Sequence, residues 1–146
     1  MEPEYARGVF ELARAALDPA AIEARVRHPA CGACVAFTGT TRAENRGRRV
    51  LRLEYEAFER MTGPEMGRIF ERCLAAQPGA GLRMLVVHRV GVVEVGEPSV
   101  VIAVASPHRA EAFAACRFLI DELKRTLPVW KKEFTEGGEH WIGDRS

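Results

Sequence analysis

The most constraining feature of the sequence is the apolar segment Val100–Ala105 (VVIAVA), which lies between Ser99 and the dipeptide Ser106-Pro107. The segment is far shorter than the roughly 20 apolar residues that a membrane-spanning helix needs. Its β-branched residues and lack of charge are typical of a strand with both faces buried in a sheet. A chain of 146 residues is too short for two ordinary domains. We therefore expect one domain, residues 1–146, built around this strand.

The other patterns predict a mixture of strands and helices. Strands are expected at Val9–Leu17, Gly32–Gly39, Val50–Phe58, Leu82–His88, Ser99–Ser106 and Val129–Thr135. Helices are expected at Pro19–Arg27, at Pro64–Gln77, and from a Ser106 cap with Pro107 in its first position to Thr126. Helices and strands do not alternate strictly, which favours an α+β fold over a doubly wound α/β fold.

The polar segment Arg42–Arg49 separates two of the predicted strands, and Gly91–Glu97 separates two others. We expect Gly32–Gly39 and Val50–Phe58 to pair as a hairpin whose tip is Arg42–Arg49, and Gly91–Glu97 to form a turn-rich connection. The basic tip is interpreted as a solvated loop. Binding of nucleic acid is the alternative, but no aromatic residue interleaves with the arginines to stack on bases.

The charges are almost balanced, with 21 Lys and Arg against 20 Asp and Glu, for a net charge of +1. This balance argues against a dedicated nucleic-acid or membrane-surface protein. The acidic N-terminus, Met1–Tyr5, has no apolar segment of the kind an export signal contains. We therefore expect a cytoplasmic protein whose four cysteines are reduced thiols.

The last predicted helix contains a lysine at the edge of an apolar face. At 100° per residue, the apolar face consists of Phe113, Cys116, Ile120, Leu123 and Leu127. Lys124 lies at the edge of this face, where partial burial would lower its pKa and make it a candidate general base, acid or nucleophile. The alternative is a lysine whose stem covers the core while its ammonium reaches water.

The start of the same helix contains His108 and Arg109, and the helical period places Arg109 in the middle of the apolar face. A helix N-terminus attracts anions, whereas cations are normally found at the other end of a helix. The two residues therefore indicate a phosphate or carboxylate site, with an ordinary surface cluster as the alternative.

The predicted strand that follows contains Lys131, Lys132 and Glu133. Strand alternation places Lys131 and Glu133 on one face and Lys132 on the other. This arrangement indicates a lysine held rigidly toward a site, although a solvated edge strand would have the same pattern.

The motifs for metal and cofactor binding are weak or missing. Cys31 and Cys34 form a CxxC at a strand entry, and not at the helix N-terminus that would lower a thiol pKa. The sequence contains no HExxH, GxxxxGK[ST] or GxSxG motif. We expect no metal and no cofactor, and a thiol oxidoreductase using Cys31 and Cys34 remains an alternative function.

Taken together, the motifs resemble the large, catalytic subunit of molybdopterin synthase. The similar segments are Gly32–Arg42 (GACVAFTGTTR), Leu53–Phe58 (LEYEAF), Val87–Gly96 (VHRVGVVEVG), Val104–Phe113 (VASPHRAEAF) and Asp121–Glu133 (DELKRTLPVWKKE). The resemblance implies an α/β-hammerhead fold of α+β type. It also implies transfer of sulfur to cyclic pyranopterin monophosphate (precursor Z), which forms the molybdopterin dithiolene in molybdenum cofactor biosynthesis.

In this family the sulfur comes from a small ubiquitin-like subunit whose Gly-Gly C-terminus is a thiocarboxylate. The resemblance therefore implies a homodimer of large subunits within a heterotetramer, and no nucleic-acid or membrane partner. A non-catalytic module that only binds the ubiquitin-like tail is the alternative, and it predicts loss of the lysine pair, whereas Lys124 and Lys131 are both present.

The resemblance implies active-site roles for Lys124 and Lys131. It implies substrate-binding roles for Thr40, Thr41, Arg42, His108, Arg109, Lys132 and Glu133. The chain departs from its relatives at Thr40 and Thr41, since a basic residue often precedes the arginine there. We expect any contact at these two threonines to come from the backbone or a hydroxyl group.

Overall fold

The computed structural model describes residues 4–142. The helices are α1 (Glu4–Arg7), α2 (Pro19–Val26), α3 (Glu59–Ala76) and α4 (Arg109–Thr126). The strands are β1 (Val9–Ala13), β2 (Ala33–Thr40), β3 (Glu44–Asn45), β4 (Arg48–Ala57), β5 (Arg83–Arg89), β6 (Gly91–Glu94), β7 (Pro98–Ser106), β8 (Val129–Thr135) and β9 (Gly138–Ile142). Residues 1–3 and 143–146 lie outside the described range. The expectation about an export signal concerns Met1–Tyr5, so it falls partly on residues outside this range. The α+β class is confirmed.

The first sheet has the strand order β1-β5-β7-β2, with β1 parallel to β5 and the other pairs antiparallel. Helices cover both of its faces. On β5, Met84 and Val86 pack into the core that includes α3 and α4, whereas Leu85 and Val87 pack into the core that includes α2. Residues of β7 alternate in the same way, and Val100–Ala105 is buried throughout. The prediction of a strand inside a sheet is therefore confirmed.

The second sheet is antiparallel, with the order β3-β4-β8-β9 and with β6 paired to β4. Its small core includes Val50 and Leu53 of β4. The register between β4 and β8 shifts between Val50 and Arg52, so Val50 and Leu53 both face inward. Leu51, which strict alternation groups with Leu53, is consequently 40% exposed.

The predicted hairpin between Gly32–Gly39 and Val50–Phe58 is wrong. β2 pairs with β7 in the first sheet, whereas β4 belongs to the second sheet. The segment Arg42–Arg49, predicted as the tip, instead contains β3, a two-residue turn and the start of β4. In this turn, Arg46 and Gly47 both have positive φ, 53° and 79°. Positive φ at both positions defines a type I′ turn, whose twist matches that of the flanking strands.

Several predicted bounds also differ in the structure, and β1 ends at Ala13, four residues before the predicted end at Leu17. α3 begins at Glu59, so Pro64 lies inside the helix instead of starting it. The segment predicted as a turn-rich connection contains β6, and its pairing with β4 extends the second sheet.

The start of α4 was predicted two residues too early. Ser106 remains in β7, where it pairs with Ala33, and its hydroxyl donates to the Ala80 carbonyl at 3.0 Å. The helix therefore begins at Arg109, with His108 as its N-cap and with no side-chain capping bond. Both residues are exposed.

The buried face of α4 also differs from the predicted face. It consists of Ala112, Ala115, Cys116, Leu119 and Leu123. Phe113 is 61% exposed and Arg109 lies outside this face. Apolar periodicity misplaces the face because the two alanines, which contribute little to the pattern, are fully buried in the core.

Gly8, between α1 and β1, allows close packing against α3. It has φ +96°, and a Cβ there would lie 2.3 Å from the ring of the buried Phe70. We expect Gly8→Ala to lower the free energy of unfolding by roughly 2–4 kcal/mol, because backbone strain adds to overpacking. Gly67→Ala is the control, since a Cβ there meets nothing within 4 Å and should stabilise α3 by up to about 1 kcal/mol. Urea unfolding measures both, and equal midpoints for the two variants would contradict the prediction.

Candidate functional site

A cavity of about 450 Å³ lies where the end of β2 meets β4, β8 and the C-terminal turn of α4. β2 and the loop after it contribute Thr40, Thr41 and Arg42, whereas α4 contributes Lys124 and β8 contributes Lys131 and Glu133. The structure thus brings together six of the nine site residues that the sequence predicts. We call this space the outer cavity.

The outer cavity is strongly cationic. Arg42, Lys124 and Lys131 line it, and Glu133 is the one acid among the lining residues that the structure describes. Burial lowers the pKa of Lys124, and the positive charges of Lys131 and Arg42 lower it further. Since a lysine with a lowered pKa can exchange a proton more readily near neutral pH, the geometry suits Lys124 for acid–base chemistry. The direction of this shift agrees with the sequence-based expectation.

Glu133 differs from the other lining residues because its carboxylate is buried, with the residue 1% exposed. It accepts hydrogen bonds from Asn45 Nδ2 at 2.9 Å and from Arg48 Nη2 at 3.3 Å. Both donors flank the type I′ turn between β3 and β4, so the carboxylate ties this turn to β8. Asn45 lies three residues after Arg42, and no other feature of the sequence connects it with the site.

Thr41 lines the outer cavity and has a buried hydroxyl group. The residue is 4% exposed, and its Oγ1 has no hydrogen-bond partner within residues 4–142. Its backbone is fixed, because its N–H donates to the Glu97 carbonyl and its own carbonyl accepts from Gly96. Buried hydroxyl groups are nearly always paired, so this one is suited to bind a polar group of a ligand. Thr40 lies beside it with an exposed side chain.

A smaller cavity of about 40 Å³ adjoins the outer one, and Tyr55, Lys124 and Lys131 line both. We call it the inner cavity. His88 of β5 closes one side and packs edge-on against the ring of Tyr55, with the centroids 5.1 Å apart. Its Nδ1 lies 2.7 Å from the Arg89 carbonyl, which can only accept, so Nδ1 donates and Nε2 keeps its lone pair.

Burial lowers the pKa of His88 to about 4, with a further contribution from the charge of Lys124. His88 is therefore neutral at physiological pH and adds no positive charge to the three cations nearby. The sequence of β5 gave no sign that His88 lines a cavity at the site, because a histidine in a buried strand is more often only part of the core.

Three predicted residues lie elsewhere. His108 and Arg109 are at the opposite end of α4 from Lys124, about 22 Å away at the ~1.5 Å rise per residue of an α-helix. Lys132 lies on the other face of β8, where its ammonium is 3.3 Å from Glu139 and 4.7 Å from the centroid of the Trp141 ring. This placement agrees with the alternation that separates Lys132 from Lys131 and Glu133.

Cys31 and Cys34 line a separate open cavity with His28 and Arg27. Burial raises the pKa of the Cys34 thiol, which disfavours the reactive thiolate. Within residues 4–142, no three His, Cys, Asp or Glu side chains are arranged to hold a metal ion. Every helix in the same range is too short or too polar to span a membrane.

The fold and site define a class of protein: an α+β protein with a cationic cavity that contains a lysine of lowered pKa. The family model described as MoaE protein matches residues 12–126. The chain is 40% identical over 143 residues to molybdopterin synthase catalytic subunit 1 of Mycobacterium tuberculosis, with 96% of each chain covered. It is 45% identical over 123 residues to the molybdopterin synthase catalytic subunit of Pyrococcus abyssi, with 84% of this chain and 82% of that one covered.

Solved structures agree with these relationships. A crystal structure of molybdopterin synthase from Staphylococcus aureus has a TM-score of 0.85 at 33% identity, covering 92% of this chain and 96% of that chain. The chain therefore belongs to the MoaE protein family. The resemblance drawn from the sequence motifs is confirmed.

The buried neutral imidazole of His88 predicts a loss of stability in acid. Its folded pKa of about 4 lies below the 6.5 of an ordinary histidine, so the unfolded chain binds the extra proton. The contribution of His88 to the free energy of unfolding should be fully present above pH 6.5. It should decrease by roughly 3 kcal/mol as the pH falls toward 4. Urea unfolding from pH 7 to 4 should show a shallower pH dependence for His88→Gln than for the wild type. His108→Gln removes an exposed imidazole and should keep the wild-type slope; equal slopes for all three proteins would contradict the prediction.

Proposed function

We propose that this chain is the catalytic subunit of a molybdopterin synthase, a sulfurtransferase that adds sulfur to cyclic pyranopterin monophosphate. The observation that carries the proposal is the convergence of Arg42, Lys124 and Lys131 on one cavity, which the buried Thr41 also lines. The names of the relatives support the same assignment. We place the reaction in the cytoplasm, in keeping with the four free cysteines.

The substrate fits the outer cavity by charge. A cyclic phosphate and an incoming thiocarboxylate are both anionic, and three cations in a partly enclosed space lower the free energy of both. The guanidinium of Arg42 suits bidentate recognition of phosphate or pterin oxygens. The hydroxyl group of Thr41 would pair with a further polar atom of the substrate.

In the proposed mechanism, the sulfur comes from the thiocarboxylate of a small ubiquitin-like partner ending in Gly-Gly. The thiocarboxylate sulfur forms a bond to an electrophilic carbon of the pterin side chain while a bond from that carbon to oxygen breaks and the oxygen takes a proton, which leaves the carrier attached as a thioester. Water then attacks the acyl carbon, the C–S bond to the carrier breaks, and the carrier leaves as a carboxylate. Lys124 transfers protons in the addition and in the hydrolysis, whereas Lys131 orients the carboxyl end and offsets its developing charge.

The inner cavity supports entry of the carrier tail beside both lysines. Apolar side chains and the neutral His88 surround the inner cavity, so the charge near the acyl carbon would come from Lys124 and Lys131. Glycine has no side chain, so a Gly-Gly tail needs little room to bring its carboxyl end to the two lysines.

His108 and Arg109 can serve this site only from a second copy of the chain. In one chain α4 separates them from Lys124 by about 22 Å. We therefore propose that a homodimer brings the α4 start of one subunit to the outer cavity of the other. The small subunit would bind at each end of that dimer and complete a heterotetramer.

The role of Lys124 predicts a loss of catalysis without a loss of assembly. Lys124→Ala should lower product formation by about a hundredfold or more, because a positioned proton-transfer group is removed. Binding of the thiocarboxylated partner should be unchanged. Arg125→Ala is the matched control, since it removes an exposed neighbouring cation that pairs with Glu122. A conversion assay measures product formation. Near-normal turnover of Lys124→Ala would exclude Lys124 from the mechanism. If the chain is instead a non-catalytic binding module, the wild type itself should show no turnover.

The role proposed for Arg109 predicts complementation between subunits. Arg109→Ala should weaken substrate binding, and unchanged affinity would contradict an anion site there. Dimers that pair one Arg109→Ala subunit with one Lys124→Ala subunit, purified with two different tags, retain one intact site. They should recover about half of the wild-type activity per dimer. No recovery over the two parent variants would show that the residues do not act across a dimer.

A further inference from the structure

We infer that Asn45 is a positioning residue that orients the guanidinium of Arg42 toward the substrate, and that the buried carboxylate of Glu133 fixes Asn45 in this role. The inference rests on the proposed function of the outer cavity. It assigns a role to a residue that the sequence did not single out, and it changes the role of Glu133 from substrate contact to anchor.

The side-chain amide of Asn45 connects the two charged groups. Its Nδ2 lies 2.9 Å from Glu133 Oε2, and its Oδ1 lies 3.4 Å from Arg42 Nη2. A carboxylate can only accept hydrogen bonds and a guanidinium can only donate them. The amide has a single orientation that satisfies both neighbours, with its NH₂ group toward Glu133 and its oxygen toward Arg42.

The anchor of this chain of contacts is rigid. Glu133 is 1% exposed and lies in β8, where it pairs with Leu53 of β4 and His140 of β9. Asn45 pairs with Arg48 across the type I′ turn. Two paired strands and a two-residue turn therefore determine where the amide lies.

Arg42, in contrast, is exposed and lies in the loop between β2 and β3. A long exposed side chain loses considerable rotamer entropy when a ligand orders it. A hydrogen bond to Asn45 reduces that cost before the substrate arrives, so it should act mainly on substrate binding.

Arg48 provides a matched control for Asn45. It donates to the other oxygen of Glu133 at 3.3 Å, so Arg48→Ala and Asn45→Ala each remove one donor from the same buried carboxylate. Only Asn45 also contacts Arg42, and Asn45 lines the outer cavity with it. A role in stability alone would affect the two variants in the same way.

The first experiment compares steady-state kinetics, with thiocarboxylated partner protein and cyclic pyranopterin monophosphate as substrates. We expect Asn45→Ala to raise the KM for the pterin substrate roughly tenfold, the loss expected for a charge-assisted contact, while kcat changes less than about twofold. Arg48→Ala should keep the wild-type KM. An equal KM for the two variants would overturn the inference.

A double-mutant cycle then tests whether Asn45 acts through Arg42. In an Arg42→Ala background, Asn45→Ala should have no further effect on KM, because its proposed target is gone. The same tenfold effect in both backgrounds would show that Asn45 acts independently, and the positioning role would be rejected.

A third measurement separates failure of this inference from failure of the proposed function. NMR relaxation of the Arg42 Nε–Hε group reports side-chain order without any turnover. We expect greater mobility in Asn45→Ala than in Arg48→Ala or the wild type. Unchanged mobility would overturn the positioning role even if the enzyme is active. A wild type that makes no product while Arg42 loses order in Asn45→Ala would contradict the proposed function alone.

Discussion

The buried carboxylate of Glu133 is the interaction on which the geometry of the site depends. A carboxylate with 1% exposure is costly to bury unless its oxygens are hydrogen-bonded, and Asn45 and Arg48 supply those bonds from the same turn. Because the acceptor belongs to β8 and the donors flank the turn between β3 and β4, these bonds connect the second sheet to the wall of the cavity. The loop that contains Arg42 continues directly into β3 and is positioned with it.

The same arrangement explains how three cations can share one cavity in the free protein. Lys124 lies in the last turn of α4, where the partial negative charge of the helix C-terminus favours a cation. Burial and the neighbouring charges of Lys131 and Arg42 oppose this, and they lower its pKa. The neutral state of His88 keeps a fourth positive charge out of the inner cavity. The site is therefore prepared for anions by charge, and the C-terminus of α4 partly offsets the repulsion among its cations.

The sequence predicted the elements with strong periodicity and missed those that depend on long-range pairing. Val100–Ala105 is the central case of success, because only burial on both faces suits an uncharged β-branched segment. Pairing of β2 with β7 was missed because adjacency along the chain favours a hairpin with the next strand, whereas two separate sheets are decided by tertiary packing. The position of Ser106 shows the same limit, since a cap motif and the end of a strand have the same local sequence.

As with the fold, the sequence predicted the site residues that depend on local patterns and missed those that depend on which strands are neighbours. Lys124, Lys131 and Arg42 line one cavity. The two lysines were indicated by the sequence because alternation along β8 and the C-terminal turn of α4 are local properties, whereas Arg42 was implied by the family resemblance. The contributions of Asn45 and His88 depend on which strands are neighbours in space, and no local pattern contains that information.

The length of α4 limits which residues of one chain can reach the same ligand. A rigid rod of about 27 Å, from ~1.5 Å per residue over the 18 residues of α4, cannot bring its first and last turns to one ligand. A pattern with anion-binding residues at both ends of such a helix therefore indicates either two sites in one chain or one site shared between chains. The proposed dimer, in which a site uses the α4 start of one subunit and the α4 end of the other, is the second of these arrangements.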